Sequence, residues 1–444
     1  MMSDIGAKLL SLTFVLALLP GAILSLSQRA LAQGQTNAVA TPDPAQVEAV
    51  TKWLSSNAVP LKSIEAGHGF ADLQPLKRVL KDARIVGLGE ATHGSREFFQ
   101  FKHRMLEFLV KEMGFTVFAI EASYPACMNI NDYVLHGKGD RAEALASQKF
   151  WTWDTNEVSE MIDWMREYNK TAPAGKKVKF LGYDLQHFGQ GLDLVIAYLK
   201  KVAPEYAGTA EATYKPLRLS VQDYLKRSEE EMSQTRARLR EVIGILAFNQ
   251  TRFVRQTSTA EFDFVMQHAR IPLQFDDSYA RSMKDPKPPF TRDYYMAENI
   301  EYLMKTEGPG TKMVVWAHNA HIQTGSYGQN PAVGGYLRKF FGEAYYALGF
   351  SFNEGGFQSR DVSEKGRGAL TEFTLSPAPA GYIDWYFARP GIANYVVDFR
   401  GAPKEGKVAQ WLLSTLPMRS IGSVFATDWP EQKYVTPAVL RNQY

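Results

Sequence analysis

The sequence predicts an α/β fold with a mostly parallel central sheet flanked by helices. Between residues 84 and 183, short apolar segments alternate with segments whose apolar residues recur at helical spacing. The resulting order of strand, helix, strand, helix and strand is typical of a parallel sheet. The 444 residues are 45% hydrophobic and 22% charged. This composition fits one large globular domain, which we place at residues 46–444.

The individual elements follow from apolar periodicity. Strands are predicted at residues 84–89, 116–120, 178–183, 312–317, 345–352, 382–387 and 395–399, where short apolar runs are rich in β-branched and aromatic residues. Helices are predicted from Val47 and at residues 97–113 and 158–168, where apolar residues recur every three or four positions.

Residues 205–275 interrupt the alternation of strands and helices. Within this segment, SVQDYLKRSEEEMSQTRARLREVIGILAFNQTRFVRQ has no proline and a single glycine, so it predicts long helices. A helical insertion of this size commonly forms a lid or cap over an α/β site, and a simple packing role is the alternative.

The first 32 residues have the composition of an export signal. Lys8 precedes an uncharged apolar run at residues 9–26, and residues 30–32 match a signal-peptidase site. A run of about 18 residues is also long enough for a membrane anchor, but the cleavage site favours removal. We therefore expect a signal peptide at residues 1–32, a flexible leader at 33–45, and a mature protein in the bacterial periplasm or medium without stable membrane insertion.

The mature chain is close to neutral and has one cysteine. The whole chain carries a formal charge of +3, and residues 1–32 contribute one net positive charge, which leaves +2. This balance gives no electrostatic basis for a nucleic-acid partner. Cys127 cannot form an intrachain disulfide, and its apolar neighbours favour a small buried residue over a nucleophile.

Five ionisable residues stand at the ends of three predicted strands. Glu90 and His93 follow the first strand, Glu121 ends the second, and His318 and His321 follow the strand at 312–317. Burying such groups without partners is costly, and the carboxyl ends of parallel strands are where α/β proteins bind ligands. A histidine beside carboxylates is suited to general-base activation of water.

Other common active-site motifs do not account for these residues. GLGEATHG resembles a dinucleotide-binding loop, but Thr92 replaces its third glycine and Glu90 would meet the pyrophosphate. The sequence contains neither G-x-S-x-G nor H-E-x-x-H. Two alternatives stay open: the Glu/His cluster binds a divalent metal such as Zn²⁺ or Mn²⁺, or the chain is a non-catalytic envelope protein.

Arg96 is a further candidate, because the sequence places it in the first turn of a helix capped by Ser95. The helix dipole disfavours a cation there, so the arginine is expected to have a function. It would pair with Glu121 or stabilise an oxyanion. A solvated arginine at the helix end is an equally good interpretation.

Several motifs, in order and spacing, resemble the erythromycin esterase family. They are GEATHGSREFFQFKHRM, IEASYP, FWTWDTNEV, WMREYN, GYDLQ, RDYYMAEN and WAHNAHI. The resemblance covers residues 80–435 and implies a hydrolase that cleaves a small-molecule carboxylic ester with water and no cofactor. In the founding members the ester is the macrolactone of a macrolide antibiotic. Because this chain carries an export signal, an envelope or environmental ester is an alternative substrate.

The resemblance also implies roles for individual residues. His93 would be the base that activates water, with Glu90 and Glu121 as its carboxylate partners. His318 and His321 would position the water or stabilise the tetrahedral intermediate, and Arg96 would serve the oxyanion or the substrate. The residues implied to line the cleft are Trp151, Trp153 and Thr155. Those implied to support the site from behind are Asp184, Tyr295 and Asn299.

Overall fold

The computed structural model describes residues 41–444 except 286, 287, 289 and 328. The predicted signal peptide and most of the predicted leader lie outside the described residues. The first described helix begins at Pro44, three residues before the predicted start at Val47. None of the helices in the described part of the chain has both the length and the apolar character needed to cross a membrane.

A five-stranded, wholly parallel sheet forms the centre of the fold. Its strands in chain order are β1 (Ile85–Leu88), β2 (Val117–Ser123), β3 (Lys179–Asp184), β4 (Met313–Trp316) and β5 (Tyr345–Leu348). Across the sheet the order is β3-β2-β4-β1-β5, and every neighbouring pair is parallel. All residues of β1, β2 and β4 are buried, which explains their continuous apolar runs. The predicted fold class is confirmed.

Helices account for most of the remaining described chain. They are α1 (Pro44–Asn57), α2 (Gln74–Val79), α3 (Arg96–Met113), α4 (Met128–His136), α5 (Arg141–Ala146), α6 (Asn156–Thr171), α7 (Gly189–Val202), α8 (Pro204–Tyr214), α9 (Val221–Leu225), α10 (Glu229–Phe248), α11 (Gln250–Gln256), α12 (Thr259–Gln274), α13 (Arg292–Thr306), α14 (Asn319–Ile322), α15 (Val333–Phe341), α16 (Ile383–Ala388), α17 (Gly406–Leu413) and α18 (Leu440–Gln443).

The other described strands lie outside the central sheet. They are Val59–Pro60, Ser326–Tyr327, Asn330–Pro331, Gly355–Asp361, Leu370–Leu375, Tyr395–Val396, Leu416–Arg419, Val424–Phe425 and Val435–Ala438. Gly355–Asp361 pairs with Leu370–Leu375 as an antiparallel hairpin, and this hairpin packs against the loop after β1 through a hydrogen bond from Gln358 N to Gly94 O.

Helices cover both faces of the central sheet. On one face, α3 and α6 contribute Phe99, Leu106 and Met161 to an apolar layer. On the other face, α7 and α13 contribute Leu192 and Ile300 to a second layer. Residues of each strand alternate between the two layers, as expected for a sheet buried on both sides.

Two predicted strands differ from the structure: the one at 382–387 is wrong, and the one at 395–399 is wrong in part. Residues 382–387 form a helix, Ile383–Ala388, although their aromatic residues favour a strand. Tertiary contacts decide the conformation: Ile383 and Tyr386 are buried three positions apart, and the carboxylate of Asp384 accepts two backbone N–H bonds from other segments. The strand predicted at 395–399 shortens to Tyr395–Val396 because it pairs only with Val59–Pro60.

The helical character of residues 205–275 is confirmed by α8 to α12. These helices pack as an outer layer over α7 and α13. Gln267 and Gln274 of α12 both hydrogen-bond the side chain of Asn299 in α13, and the apolar residues of the insertion join the layer on that face of the sheet. These contacts show the packing role, whereas the function as a lid or cap stays a prediction.

His268 of α12 is a buried histidine without hydrogen bonds to the described residues. It is 0% exposed, and neither ring nitrogen has a partner. Its ring centroid lies 4.9 Å from that of Tyr124 and 4.5 Å from that of Phe264. Burial lowers the pKa of His268 to about 3, so the folded protein holds it neutral.

Replacing His268 by leucine will reduce the loss of stability in mild acid. The unfolded chain protonates this histidine below its ordinary pKa of 6.5, whereas the folded chain does so only near pH 3. The folded state therefore binds fewer protons, and the free energy of unfolding falls by about 2 kcal/mol more between pH 7 and pH 5 than it would without His268. Urea denaturation at both pH values measures this difference. His136→Leu, at an exposed position, is the matched control. If His268→Leu lost as much stability between pH 7 and pH 5 as the wild type does, the neutral state assigned to His268 would be contradicted.

Candidate active site

The structure brings the five strand-end residues together at the carboxyl ends of the inner strands β1, β2 and β4. The ring centroids of His93 and His318 are 5.1 Å apart. Glu90 contacts His93, and Glu121 contacts both His318 and His321. The five residues therefore form one connected centre, in which a single small molecule can contact several of them.

A bulge in β2 positions Glu121. The pairing of β2 with β3 shifts between Ile120 and Ser123, so β2 carries one extra residue there. Such bulges redirect side chains and are common beside active sites. Gly182 of β3 makes room for the bulge, because a Cβ at this position would lie 2.4 Å from the carbonyl oxygen of Ala122.

Glu90 fixes the ring of His93. Oε1 of the fully buried carboxylate lies 2.6 Å from Nδ1 of His93. A carboxylate at Nδ1 assigns the ring proton to that nitrogen and leaves Nε2 with a lone pair. Among the described residues Nε2 has no hydrogen-bond partner, and the side chain is 13% exposed. His93 therefore has the tautomer and the access that a general base requires.

Lys102 of α3 also belongs to the centre, although it was not predicted from the sequence. Nζ lies 2.6 Å from Oε2 of Glu90 and 4.2 Å from the centre of the Trp316 ring. Trp316 Nε1 donates to the same carboxylate oxygen at 2.9 Å. Burial opposes ionisation of Glu90, but Lys102 and His93 outweigh it and hold the pKa of Glu90 below its ordinary value. Burial lowers the pKa of Lys102 to about 8, although Glu90 acts in the opposite direction.

Glu121 contacts Arg292 and His321, and its predicted role as a carboxylate partner of His93 stays a prediction. Oε1 accepts from Arg292 Nη2 at 2.9 Å and lies 3.3 Å from Nε2 of His321. Oε2 accepts the backbone N–H of His318 at 3.1 Å. Burial opposes ionisation, but the charges of His321 and Arg292 hold the pKa of Glu121 well below its ordinary value. Glu121 is therefore an anion that anchors the turn carrying the other two histidines.

Arg96 does not pair with Glu121, so that alternative is wrong, and the structure agrees with the alternative of a solvated arginine at the helix end. A role of Arg96 toward the oxyanion or the substrate stays a prediction. Its side chain is 71% exposed, and Nε lies 3.4 Å from Glu157 at the surface. Arg292, the first residue of α13, occupies the predicted position beside Glu121. Both arginines begin a helix, but only α13 packs against β3, which brings Arg292 to the buried carboxylates.

Asp184 supports the centre from the end of β3, as the sequence predicted. It is fully buried and accepts hydrogen bonds from Nε and Nη2 of Arg292 at 3.0 and 2.9 Å. Burial opposes the charge of Arg292, but Asp184 and Glu121 raise the pKa of Arg292 well above its ordinary value. The guanidinium thus remains charged and links two buried carboxylates.

His318 is held neutral with its proton directed to Nε2. It caps α14, and Nδ1 accepts the backbone N–H of Ala320 at 3.2 Å. Burial, and then the charge of His93, lower the pKa of His318 to about 3. An acceptor role at Nδ1 assigns the single proton to Nε2. Within the described residues this buried Nε2 has no hydrogen-bond partner, so its N–H is available to a ligand.

His321 lies between two carboxylates. Nδ1 is 3.0 Å from Oδ2 of Asp293, and Nε2 is 3.3 Å from Oε1 of Glu121. Burial lowers the pKa of His321, but Asp293 and Glu121 outweigh it and the pKa is raised. The two carboxylates stabilise the charged form of His321, whereas Arg292, whose Nη1 lies 3.4 Å from Nε2 of His321, opposes it.

The predicted cleft residues have different positions. Trp153 packs behind His93 with ring centroids 5.4 Å apart, and its Nε1 donates to the backbone oxygen of Glu121 at 3.2 Å. The hydroxyl of Thr155 caps α6 by accepting a hydrogen bond from Val158 N at 3.3 Å, which is a structural role at the start of this helix. Trp151 is half-buried, and its contact with substrate stays a prediction.

The two remaining supporting candidates also differ. Asn299 is buried, and its Nδ2 donates to the backbone oxygen of Tyr183 at 2.9 Å, which fixes the end of β3 next to Asp184. Tyr295 instead packs on Phe290 and Tyr294 with ring centroids 5.5 and 5.3 Å apart. Tyr295 also packs against the apolar layer on this face of the sheet, and its supporting role stays a prediction.

Metal binding requires ligands that the described residues do not arrange. Across residues 41–444, apart from the four positions named above, no group of three or more His, Cys, Asp or Glu side chains could hold a metal ion. The carboxylates of the centre face cationic partners instead: Glu90 faces Lys102, and Glu121 faces Arg292.

Comparison with known proteins agrees with the predicted family. The erythromycin esterase family matches residues 110–444, a region that contains Glu121, His318 and His321 and begins after His93. Erythromycin esterase type II of Escherichia coli is 24% identical over 388 residues, which cover 80% of this chain and 90% of that protein.

Solved structures have the same fold. A crystal structure of a Bacillus cereus protein is 26% identical, covers 90% of this chain and 95% of its own, and superposes with a TM-score of 0.78. A mutant erythromycin esterase in its open conformation is 16% identical, covers 85% of this chain and 92% of its own, and has a TM-score of 0.66. Since the family match extends over well more than half of its length, this chain belongs to the erythromycin esterase family.

Proposed function

We propose that this protein is a hydrolase that cleaves a carboxylic ester or lactone with a water molecule activated by His93. Family membership supports hydrolase activity on a small molecule. The observation that carries the finer proposal is the buried Glu90 bonded to Nδ1 of His93, which leaves Nε2 as a base at a partly open position. General-base catalysis of this kind contributes on the order of 10² to 10⁴ in rate.

His318 is the proposed donor to the oxyanion. Attack of water on an ester carbonyl moves negative charge onto the carbonyl oxygen, which a fixed N–H stabilises. The Nε2–H of His318 is buried, and its ring lies 5.1 Å from that of His93, so both can contact one tetrahedral carbon centre. Glu121 holds this geometry by binding the backbone N–H of His318.

A mass-spectrometric screen tests the proposed function. Purified mature protein is incubated with a macrolide lactone and with a panel of aliphatic, aryl and sugar esters. The proposal expects addition of one water to a lactone, or separation of an ester into acid and alcohol. The relative named erythromycin esterase makes a macrolide the first substrate to test. Unchanged masses for every ester, with protein that is folded by circular dichroism, would overturn the assignment.

We further propose that catalysis needs no bound metal. The ammonium of Lys102 and the guanidinium of Arg292 neutralise the two carboxylates, and a divalent cation beside them would be repelled. Exhaustive dialysis against a chelator is expected to leave kcat within about twofold of its starting value, since no step draws on a metal-bound water. Loss of activity that returns on addition of Zn²⁺ or Mn²⁺ would instead support the metal-dependent alternative.

Export of the protein is proposed from residues 1–32. Expression of the full chain in a bacterium, followed by cell fractionation and N-terminal sequencing, is expected to give a periplasmic or secreted product that begins at Gln33. A chain that starts at Gln33 without this segment serves as the matched control and should stay in the cytoplasm. An uncleaved, membrane-bound product would contradict cleavage.

A further inference from the structure

A cavity of about 720 Å³ lies beside the candidate active site and is separate from it. Its wall is formed by β5 and the chain that follows it, by the first turns of α3, and by residues 384–400. The five residues of the candidate centre are not among the residues that line it. The volume is within the range of about 300–1,000 Å³ that small-molecule sites have.

Aromatic side chains form one part of the wall of this cavity. Phe98 and Phe101 of α3 meet Phe350 with ring centroids 5.2 and 5.9 Å apart, and Phe98 also meets Phe352 at 6.3 Å. Ile392 adds to the apolar surface of the cavity. Such rings bind apolar molecules by dispersion and by burial of their surface.

Both arginines on the wall, and the carboxylates of Asp384 and Asp398, already have partners. Arg400 is 2.9 Å from Asp398, and Arg338 is 2.8 Å from Glu343. Asp384 is fully buried and accepts three hydrogen bonds from neighbouring segments. A charged ligand that binds these groups would have to break one of these arrangements, so this part of the wall favours an uncharged ligand.

One polar group on the wall is left for a ligand. The hydroxyl of Ser95 is buried and has no hydrogen-bond partner among the described residues. Buried hydroxyls are nearly always satisfied, so an unpaired one beside a cavity indicates a missing partner. The remaining carboxylates on the wall, Glu97 and Glu354, are exposed.

We propose that this cavity is a second binding site for an uncharged, mainly apolar molecule of about drug size that hydrogen-bonds Ser95. Phe350 connects the site to the candidate centre. Its ring lies 5.5 Å from Nζ of Lys102, and its backbone exchanges two hydrogen bonds with the side chain of Asn319. Asn319 directly follows His318, so a ligand that shifts Phe350 acts on both Lys102 and the histidine turn.

The uncharged fluorophore N-phenyl-1-naphthylamine tests the binding site directly. Titration into the mature protein is expected to give saturable fluorescence enhancement. Ile392→Trp fills the cavity from a wall that does not touch the candidate centre, and it should weaken binding at least tenfold. Leu413→Trp places the same ring at a position 53% exposed on α17 and should bind the probe as the wild type does. Ile64→Trp, on another wall of the cavity, provides a second filling variant if Ile392→Trp does not fold.

Coupling to hydrolysis, which rests on the proposed function, is measured separately. The probe should change kcat for 4-nitrophenyl butyrate at least twofold in the wild type, and its addition should cause no further change in the kcat of Ile392→Trp. Probe binding that is equal in wild type and both filling variants overturns the second site, and so does simple competition with the ester. Absence of ester hydrolysis together with saturable, Ile392-dependent binding would overturn the proposed function alone.

Discussion

Replacement of His93 by alanine will lower kcat for the ester on the order of 10²- to 10⁴-fold, the contribution typical of a general base. The ring contributes Nε2 to the reaction and makes one strong hydrogen bond, to Glu90. Without it, water must attack without proton transfer to the protein. KM should change little, because the imidazole acts on the water and makes no large contact with the substrate body.

The control for this experiment is His68→Ala. His68 has a side chain that is 59% exposed and pairs only with Glu65, so its loss should leave kcat unchanged. Circular dichroism and thermal unfolding must show that His93→Ala is folded. A folded His93→Ala enzyme with kcat within about threefold of the wild type would remove His93 from the mechanism.

The central sheet was largely predictable from sequence because its inner strands are buried on both faces. Such strands read as uninterrupted apolar runs, as VGL and VVW in β1 and β4 do. The ends of these runs also indicated the five residues of the centre, because an ionisable group at the end of a buried strand is costly unless it is paired or binds a ligand. The strand predicted at residues 382–387 failed because its conformation depends on contacts of Asp384 with distant segments.

The partners of the five residues were harder to predict. Lys102 occupies a position on the apolar face of α3, four residues after Phe98 and three before Met105, and this spacing was the available signal. A charged residue at such a position is usually at the edge of the face, so its burial could not be inferred. Arg292, like Arg96, lies in the first turn of a helix, where a cation is disfavoured. Only the packing of α13 against β3 distinguishes the two arginines.

Replacement of Lys102 by methionine will lower the free energy of unfolding by about 3–5 kcal/mol, the cost of leaving a buried charge without its partner. Methionine keeps most of the apolar volume, so packing against Trp316 changes little, but Glu90 loses the ammonium 2.6 Å from Oε2. The pKa of Glu90 should rise, because Lys102 is the strongest of the groups that lower it. Urea denaturation measures the stability change, and the rate of ester hydrolysis measures the effect on His93.

A double-mutant cycle separates the buried charge from other effects of the substitution. In Lys102→Met with Glu90→Gln, both charges are removed, and we expect stability to recover by more than half of the loss in Lys102→Met. Hydrolysis should stay low, because glutamine cannot hold the imidazolium of His93 as a carboxylate does. Lys111→Met is the matched control on the same helix, where a lysine 42% exposed pairs with Glu107, and it should cost roughly 0–1 kcal/mol. If Lys102→Met and Lys111→Met lost equal stability, Glu90 would not depend on Lys102. If the double variant recovered stability but not activity, the Glu90–Lys102 pair would be assigned the role of holding His93 in place.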